Sequence, residues 1–416
     1  MRAAAIERFA LIVVRKLLPI LGITFVDIIG FSMLLPILPY FVTHFGATPF
    51  VVGLLFATFS FCQLLSGPVW GHISDRAGRK TVLIISQIGA TIGWAMLAFA
   101  PNLLWVFIAR IIEGTSGGNI GITQAYVADL VAPKDRSRAF GLIGATFGAG
   151  MVFGPVGGGL LFSRFGYAAP FLAAAALQLL TLILTVVFVP ESRAKPGKDE
   201  PHVGLREFVA TFRNVRVSRV LWQKLAFSLG LYGWFGVQAL YLKAQLGYGV
   251  TETTMLFAAF AVMNVIINGF LIGRISNRVG DRTMSTIGLL VLLTSFAIMP
   301  FVHTTVMVGV MIITFSFGMG LSNTGITALI SNAASDREQG AVLSVSSSLD
   351  SVSGIFAPPT STYLLTRYGS AYAGLESLVM ATVALMMGLV LGRDDDKFAT
   401  VHAPVNVEER IEARVQ

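Results

Sequence analysis

Charge is scarce in this chain. Only 12% of its 416 residues are Asp, Glu, Lys or Arg, about half the share an ordinary soluble protein carries. Cysteine is nearly absent: Cys62 stands alone, which excludes an intramolecular disulfide and leaves a small packing residue. Histidine is also sparse, and neither His44 nor His303 has metal-ligand spacing; no metal site is expected, and both read as residues near the outer membrane interface. No Walker-type phosphate loop occurs, so ATP is not the evident driver. The chain also lacks a nucleophile elbow and paired histidines, which argues against an enzyme, with no catalytic residue to name.

What the chain has instead is length in apolar runs. Hydrophobic residues make up 55% of it, and many runs reach the roughly 20 residues that cross a bilayer as helix. Short alternating strands of a membrane barrel are not seen. Backbone groups in lipid must be satisfied within a segment, which leaves an all-α bundle. The pattern predicts about twelve spans, at 17–42, 50–73, 81–100, 103–129, 139–162 and 168–190, then 220–245, 252–273, 283–302, 304–333, 341–366 and 370–392. The domain reading is a six-helix bundle at 1–190, a cytoplasmic central loop at 191–219, a second six-helix bundle at 220–392 and a cytoplasmic tail at 393–416. Met1 to Lys16 is basic without a cleavage signature and reads as a retained cytoplasmic end.

The formal net charge is +8. Threading the spans puts 26 of the 30 Lys and Arg residues on one face, eight of them with the central loop. That asymmetry predicts cytoplasmic termini in a multi-pass protein of the inner (plasma) membrane, and it explains the basic balance without nucleic acid.

A repeat is legible. Residues 71–80 read GHISDRAGRK and residues 273–282 read GRISNRVGDR. Gly121-Ile122-Thr123 matches Gly325-Ile326-Thr327, and Arg164-Phe165-Gly166 matches Arg367-Tyr368-Gly369. The offsets near two hundred residues imply two similar halves in the same orientation. A substrate site is then expected between them near mid-membrane.

The segment from Gly71 through Asp75, Arg76, Gly78 and Arg79 to Lys80 resembles the loop 2–3 motif of the major facilitator superfamily. Asp27-Ile-Ile-Gly30 with Pro36 and Pro39 resembles the first-helix motif of its drug–proton antiporters. Ala109-Arg110 with Glu113-Gly114 resembles their fourth-helix arginine motif, and the run Gly148 to Gly158 their fifth-helix antiporter motif. The likeness covers nearly the whole chain at the level of fold and the first half in detail. It implies twelve helices in two pseudo-symmetric bundles, a monomer, and protons as the coupling ion with no other cofactor. The chain also resembles the tetracycline-efflux type, which carries an acidic residue where this chain has Gly93.

Candidate residues follow. Asp27 lies near mid-bilayer, where a charge costs on the order of 3 kcal/mol, so it should face a cavity or a partner. It reads as a carboxylate that loads and releases a proton, or as a bonded structural group. Arg110 and Glu113 share a helix face and form either a second proton site or a fixed bridge. Asp350 is a further intramembrane acid open to both readings. Asp75, Arg76, Arg79 and Lys80, with Gly71 and Gly78, and Asp129 and Arg136 at the next turn, read as a conformational latch of ion pairs. Gly150, Gly154, Pro155 and Gly158 read as a thin, bent antiporter helix at the boundary between the two halves. Gln124, Tyr126, Tyr232, Trp234, Gln238, Tyr241, Asn264, Asn268 and Asn323 are candidates to line a cavity for a loosely specific apolar ligand.

The function expected is export of a small amphiphilic drug or metabolite in exchange for protons by alternating access. The alternative is a proton symporter or facilitator for a sugar, organic acid or lipid-like solute, since scaffold alone does not settle substrate. The expected partners are that substrate and the lipid bilayer.

Overall fold

The computed structural model describes residues 17–117, 123, 126–127, 130–131, 136–191, 211–334 and 339–401, without side chains for 136–138, 140, 276–277, 339–341 and 391–401. The described residues hold no strand and form twelve principal helices. In the first half these are α1 (Leu18–His44), α2 (Pro49–Ala77), α3 (Arg79–Ala98), α4 (Leu103–Ser116), α5 (Arg136–Phe165) and α6 (Ala168–Phe188). In the second they are α7 (Val215–Leu246), α8 (Val250–Ile266), α9 (Asp281–Ala297), α10 (Thr305–Ala333), α11 (Gln339–Tyr368) and α12 (Leu375–Val401). Beyond α8 the chain runs on through a π-helical stretch, Ile267–Ile272, and a short helix, Gly273–Val279.

Among the described residues, ten helices are long and apolar enough to cross a membrane. The two that fall short do so for different reasons. The described part of α4 has 14 residues. Helix α11 has 30, but its first half is rich in serine and carries Asp350. Two boundaries move from the sequence expectation: α7 starts at Val215, inside the expected loop, and α12 runs to Val401, inside the expected tail. One of the eight cations assigned to the loop, Lys224, lies within α7 and is 6% exposed.

Local chemistry explains the helix ends. Asn102 caps α4, its side chain accepting from the amides of Leu104 and Trp105 at 3.1 and 3.4 Å. Asn214 does the same for α7 and Thr304 for α10, each satisfying amides that the helix leaves open. The repeat reappears in the backbone. Gly78 and Gly280, which the sequence aligns, both take positive φ (98° and 74°) at the matching turns, as do Gly166 and Gly369 (78° and 94°). A Cβ is disfavoured there, which is why both copies keep glycine.

Within the first half α1 packs on α5, α3 on α6, and α2 on α4; in the second, α9 packs on α10 and α7 on α11 and α12. The halves meet through α2 with α11 and α5 with α8. Small residues permit these approaches. A Cβ at Gly53 would stand 2.7 Å from the Pro358 carbonyl oxygen, one at Gly159 2.9 Å from Thr254 Cβ, and one at Gly354 2.9 Å from Ser60 Cβ. The glycines of the antiporter motif serve a different contact. At Gly150 a Cβ would lie 2.7 Å from Ile28 Cγ2, at Gly154 2.6 Å from the Ile29 oxygen, and at Gly158 3.1 Å from Ile37 Cδ1. Their stripe therefore seats α5 on α1 inside the first half. The residues of α5 at the seam are Gly148, 3.2 Å from Val265 by the same measure, and Gly159.

These contacts make a graded prediction. Gly154→Ala should destabilise by about 1–3 kcal/mol through overpacking. Gly157→Ala, where only Met33 Cε comes as near as 4.0 Å, should leave stability unchanged. Thermal unfolding of both variants in lipid nanodiscs checks the contrast.

Candidate functional site

The two halves are joined at one end and parted at the other. The joined end lies away from the loop that carries Gly78 and Arg79. There Tyr40 of α1 bonds across the seam: its hydroxyl is 2.7 Å from Thr253 Oγ1 and donates to the Tyr248 carbonyl at 2.9 Å. Lys243 donates to Thr43 at 3.3 Å and lies 5.5 Å from the Tyr40 ring centre. Phe50 of α2 meets Tyr363 of α11 edge-on, with ring centres 6.3 Å apart.

Burial marks where the seam opens. Every residue of α1 from Ser32 to Val42 is buried, whereas Phe25, Val26, Asp27, Ile29 and Phe31 are partly exposed. On α11, positions 343, 347, 350, 354 and 358 share one helix face. Gly354 and Pro358 are buried under α2, Asp350 is partly exposed, and Ser347 and Leu343 are exposed. The facing stripe of α2 behaves likewise, with Gly53, Ala57 and Ser60 buried and Gly67 exposed. A cleft therefore opens toward the face bearing the basic loop, with Asp350 near its apex, and Asp27 lies on the partly exposed stretch of α1 below Ser32.

Arg110 and Glu113 form a direct ion pair and are 1% and 6% exposed. Phe59 of α2 lies under the guanidinium, 4.3 Å from ring centre to Cζ, and Phe31 of α1 lies 6.4 Å from Phe59. The pair is thus walled off from the cleft by two aromatic rings. A Cβ at Gly93 would stand 2.5 Å from Glu113 Cγ. The space that an acidic residue at 93 would need is already filled by Glu113. Arg110 Nε and Nη2 and Glu113 Oε1 are buried without hydrogen-bond partners among the described residues.

Asp350 is held by the second half. Its Oδ1 takes Lys224 Nζ at 3.0 Å and Ser228 Oγ at 2.6 Å. Lys224, Ser228 and Tyr232 recur every four residues, so they line one face of α7.

The latch residues fall into a compact group. Arg79 pairs with Asp75 at 2.8 Å and donates to Ser74 Oγ at 2.9 Å. The backbone amides of Arg79 and Lys80 donate to the two carboxylate oxygens of Glu191, at 2.9 and 3.2 Å. An anion there sits well, because the first amides of a helix are unpaired and its dipole favours negative charge. Lys80 Nζ reaches the Val186 carbonyl at 2.8 Å. The group ties α2, α3 and the end of α6 together. Arg76 is exposed and Gly71 is half-buried with open space around its Cα. Asp129 and Gln124 lie outside the described residues, as does the Arg136 side chain.

Several cavity candidates are placed elsewhere. Tyr126 is fully buried in a side core of the first half, and its hydroxyl donates to the Pro190 carbonyl at 2.9 Å. Tyr241 is buried too, donating to the Met299 carbonyl at 2.7 Å. Both satisfy a phenol inside a core. Trp234 and Gln238 line an apolar recess with Phe260, Met311 and Phe315 within the second half. Asn264 and Asn268 bond to each other at 2.5 Å and face Met319 and Gly320 of α10. Asn323 is exposed, and Tyr232 approaches Gly354 near the cleft.

Three charged groups escaped the sequence reading. Lys224 was hidden by its nearness to the span start and Glu191 by its place in a polar loop. Glu376, bonded to Ser361 beside Gly233, is buried at the head of α12. Its signal was an acid flanked by apolar residues just inside a span.

The ion pair in α4 gives a stability test. Arg110→Ala should cost about 3–5 kcal/mol, because Glu113 is left buried and uncompensated. Replacing the pair together, Arg110→Met with Glu113→Leu, should recover most of that loss. Unfolding midpoints of the single and double variants measure it.

The comparisons with known proteins agree with this architecture. The model of the Major Facilitator Superfamily matches residues 20–358 and 236–409. The tetracycline resistance protein, class C, of Escherichia coli is 30% identical over 380 residues, covering 89% of this chain and 94% of the relative. Multidrug resistance protein 2 of Bacillus subtilis (strain 168) is 27% identical over 371 residues, covering 85% and 90%. Among solved structures, the human organic anion transporter TETRAN matches with a TM-score of 0.70 at 18% identity, over 91% of this chain and 99% of that one. A bacterial homologue of the human lysosomal transporter Spinster matches with a TM-score of 0.71 at 18% identity, over 90% and 95%. A helical chain of two matching halves, parted at one face and matched along nearly its whole length by that family model, is a membrane transporter rather than an enzyme, and it belongs to the Major Facilitator Superfamily.

Proposed function

We propose that this protein is a secondary antiporter of the inner (plasma) membrane that exports a small amphiphilic compound in exchange for protons. The observation that carries the reading is Asp27, a half-buried carboxylate on α1 at the level where the two halves part. An acid there can exchange protons with water in the cleft, and a rocking of the halves would hand it to the other side. The relatives named for tetracycline and multidrug resistance support export of such compounds.

The basic face is read as cytoplasmic, because short loops rich in Lys and Arg stay on that side. In that orientation the cleft opens inward and both termini are cytoplasmic. The Tyr40 cluster then closes the outer end, and the Asp75–Arg79–Glu191 group braces the inner ends of the first half. One chain supplies both walls, so a monomer suffices. Substrate enters from the cytoplasm, the inner ends close, the outer seal parts and releases substrate, protonation of Asp27 from outside returns the cleft inward, and Asp27 then gives its proton to the cytoplasm. Each proton moving down 100 mV supplies about 2.3 kcal/mol, enough to sustain export against a gradient.

Reconstitution tests this. In proteoliposomes an imposed proton gradient should drive amphiphile flux, and Asp27→Asn should abolish that driven flux while the variant melts at the wild-type temperature. Undiminished flux in Asp27→Asn would remove Asp27 from the mechanism. In cells, overexpression should lower accumulation of fluorescent amphiphiles; a rise would favour uptake instead.

A further inference from the structure

The acid in the second half has one oxygen to spare. Asp350 Oδ1 is taken up by Lys224 Nζ at 3.0 Å and Ser228 Oγ at 2.6 Å. Oδ2 bonds to nothing among the described residues, and the Asp350 side chain is 30% exposed. The two partners differ sharply, since the Lys224 side chain is only 7% exposed. The lysine stands behind the carboxylate and the carboxylate stands in front. A ligand arriving through the cleft meets the negative member of the pair.

The position adds to the argument. Asp350 lies four residues before Gly354, where α11 presses on Ser60 of α2, so it stands one helical turn inside the opening. Tyr232 is within reach of that turn, its ring Cδ1 3.5 Å from where a Gly354 Cβ would be. A carboxylate oxygen with an aromatic side chain one turn deeper suits an organic cation, which gains from both the charge and the ring. An anionic ligand would have to displace Asp350 to reach Lys224, leaving a buried charge unpaired.

We propose that Asp350 and Tyr232 form a second-half subsite of the cleft that recognises an N–H-bearing organic cation, such as a protonated amine, on the exported compound. Lys224 and Ser228 are positioning residues that fix the carboxylate through Oδ1 and aim Oδ2 at the cleft. The inference rests on the export reading for its biological meaning, but binding tests it separately from transport.

The probes are rhodamine 6G, a cation with N–H donors, and fluorescein, an anion on the same xanthene core. N-phenyl-1-naphthylamine serves as an uncharged amphiphile. Equilibrium binding is read by fluorescence on the full chain in nanodiscs. The wild-type chain should bind rhodamine 6G saturably and in preference to fluorescein. Asp350→Asn should weaken rhodamine 6G by about tenfold or more and leave the uncharged probe within about twofold. Because Asp350→Asn leaves Lys224 unpaired and can fail to fold, Lys224→Gln combined with Asp350→Asn is the second variant. It removes both charges and should show the same selective loss. Three results would overturn the proposal: no saturable rhodamine 6G binding to the wild type, unchanged binding in either Asp350 variant that folds, or a parallel loss of charged and uncharged probes. Asp350-dependent binding without proton-driven flux would sink the antiport reading and leave the subsite standing. Driven flux with Asp350-independent binding would do the reverse.

Discussion

Lipid offers no solvent for charge, and that constraint organises the interior of this protein. An ionisable group inside the membrane must find a partner or a water-filled space. Arg110 and Glu113 take the first course, sealed against each other behind Phe59. Asp350 combines the two, paired with Lys224 and still partly exposed, and Asp27 lies on the partly exposed stretch of α1. Lys224 does both at once, since it is buried but paired with an acid that reaches the cleft. The functional groups are thus sorted by depth, and the glycines that let helices touch decide where packing ends and the cleft begins.

Symmetry in the fold does not carry over to the charges. The repeat fixes the same glycine turns in both halves, at Gly78 and Gly280 and again at Gly166 and Gly369. The buried pair of the first half joins residues of one helix, α4, and that of the second bridges two, α7 and α11. A bridge between helices is sensitive to their relative motion in a way that a bridge within one helix is not. The first-half pair therefore reads as a brace and the second-half pair as part of the moving surface.

Much of the fold was legible in the sequence, because lipid imposes one simple rule on helix length and polarity. The principal helices and the paired glycine turns of the repeat follow from apolar runs and glycine spacing. Asp27, Arg110 with Glu113, and the Asp75–Arg79 loop were legible for the same reason: charges stand out against apolar neighbours. Depth and direction were not. Tyr126 and Tyr241 have the composition of cavity residues, yet both spend their hydroxyls on carbonyls inside a core. The glycine stripe of α5 was expected at the seam and instead seats α5 on α1, since helical phase relative to a neighbour depends on tertiary packing. Lys224 was absorbed into the loop's cation count and Glu191 into its polar stretch, because charge near a span end looks the same whether it enters the bundle or not.

The central claim is the proposed change in the side that the cleft faces. Electron–electron distance measurements on spin-label pairs test it most directly, with Cys62 replaced. One pair sits at positions 67 and 347, on the parted ends of α2 and α11, and the other at 46 and 247, at the closed end. Substrate and a pH step should shift both pairs in opposite senses, the first shortening as the second lengthens. A first pair that stays long while substrate is transported, or two pairs that move independently, would contradict the account.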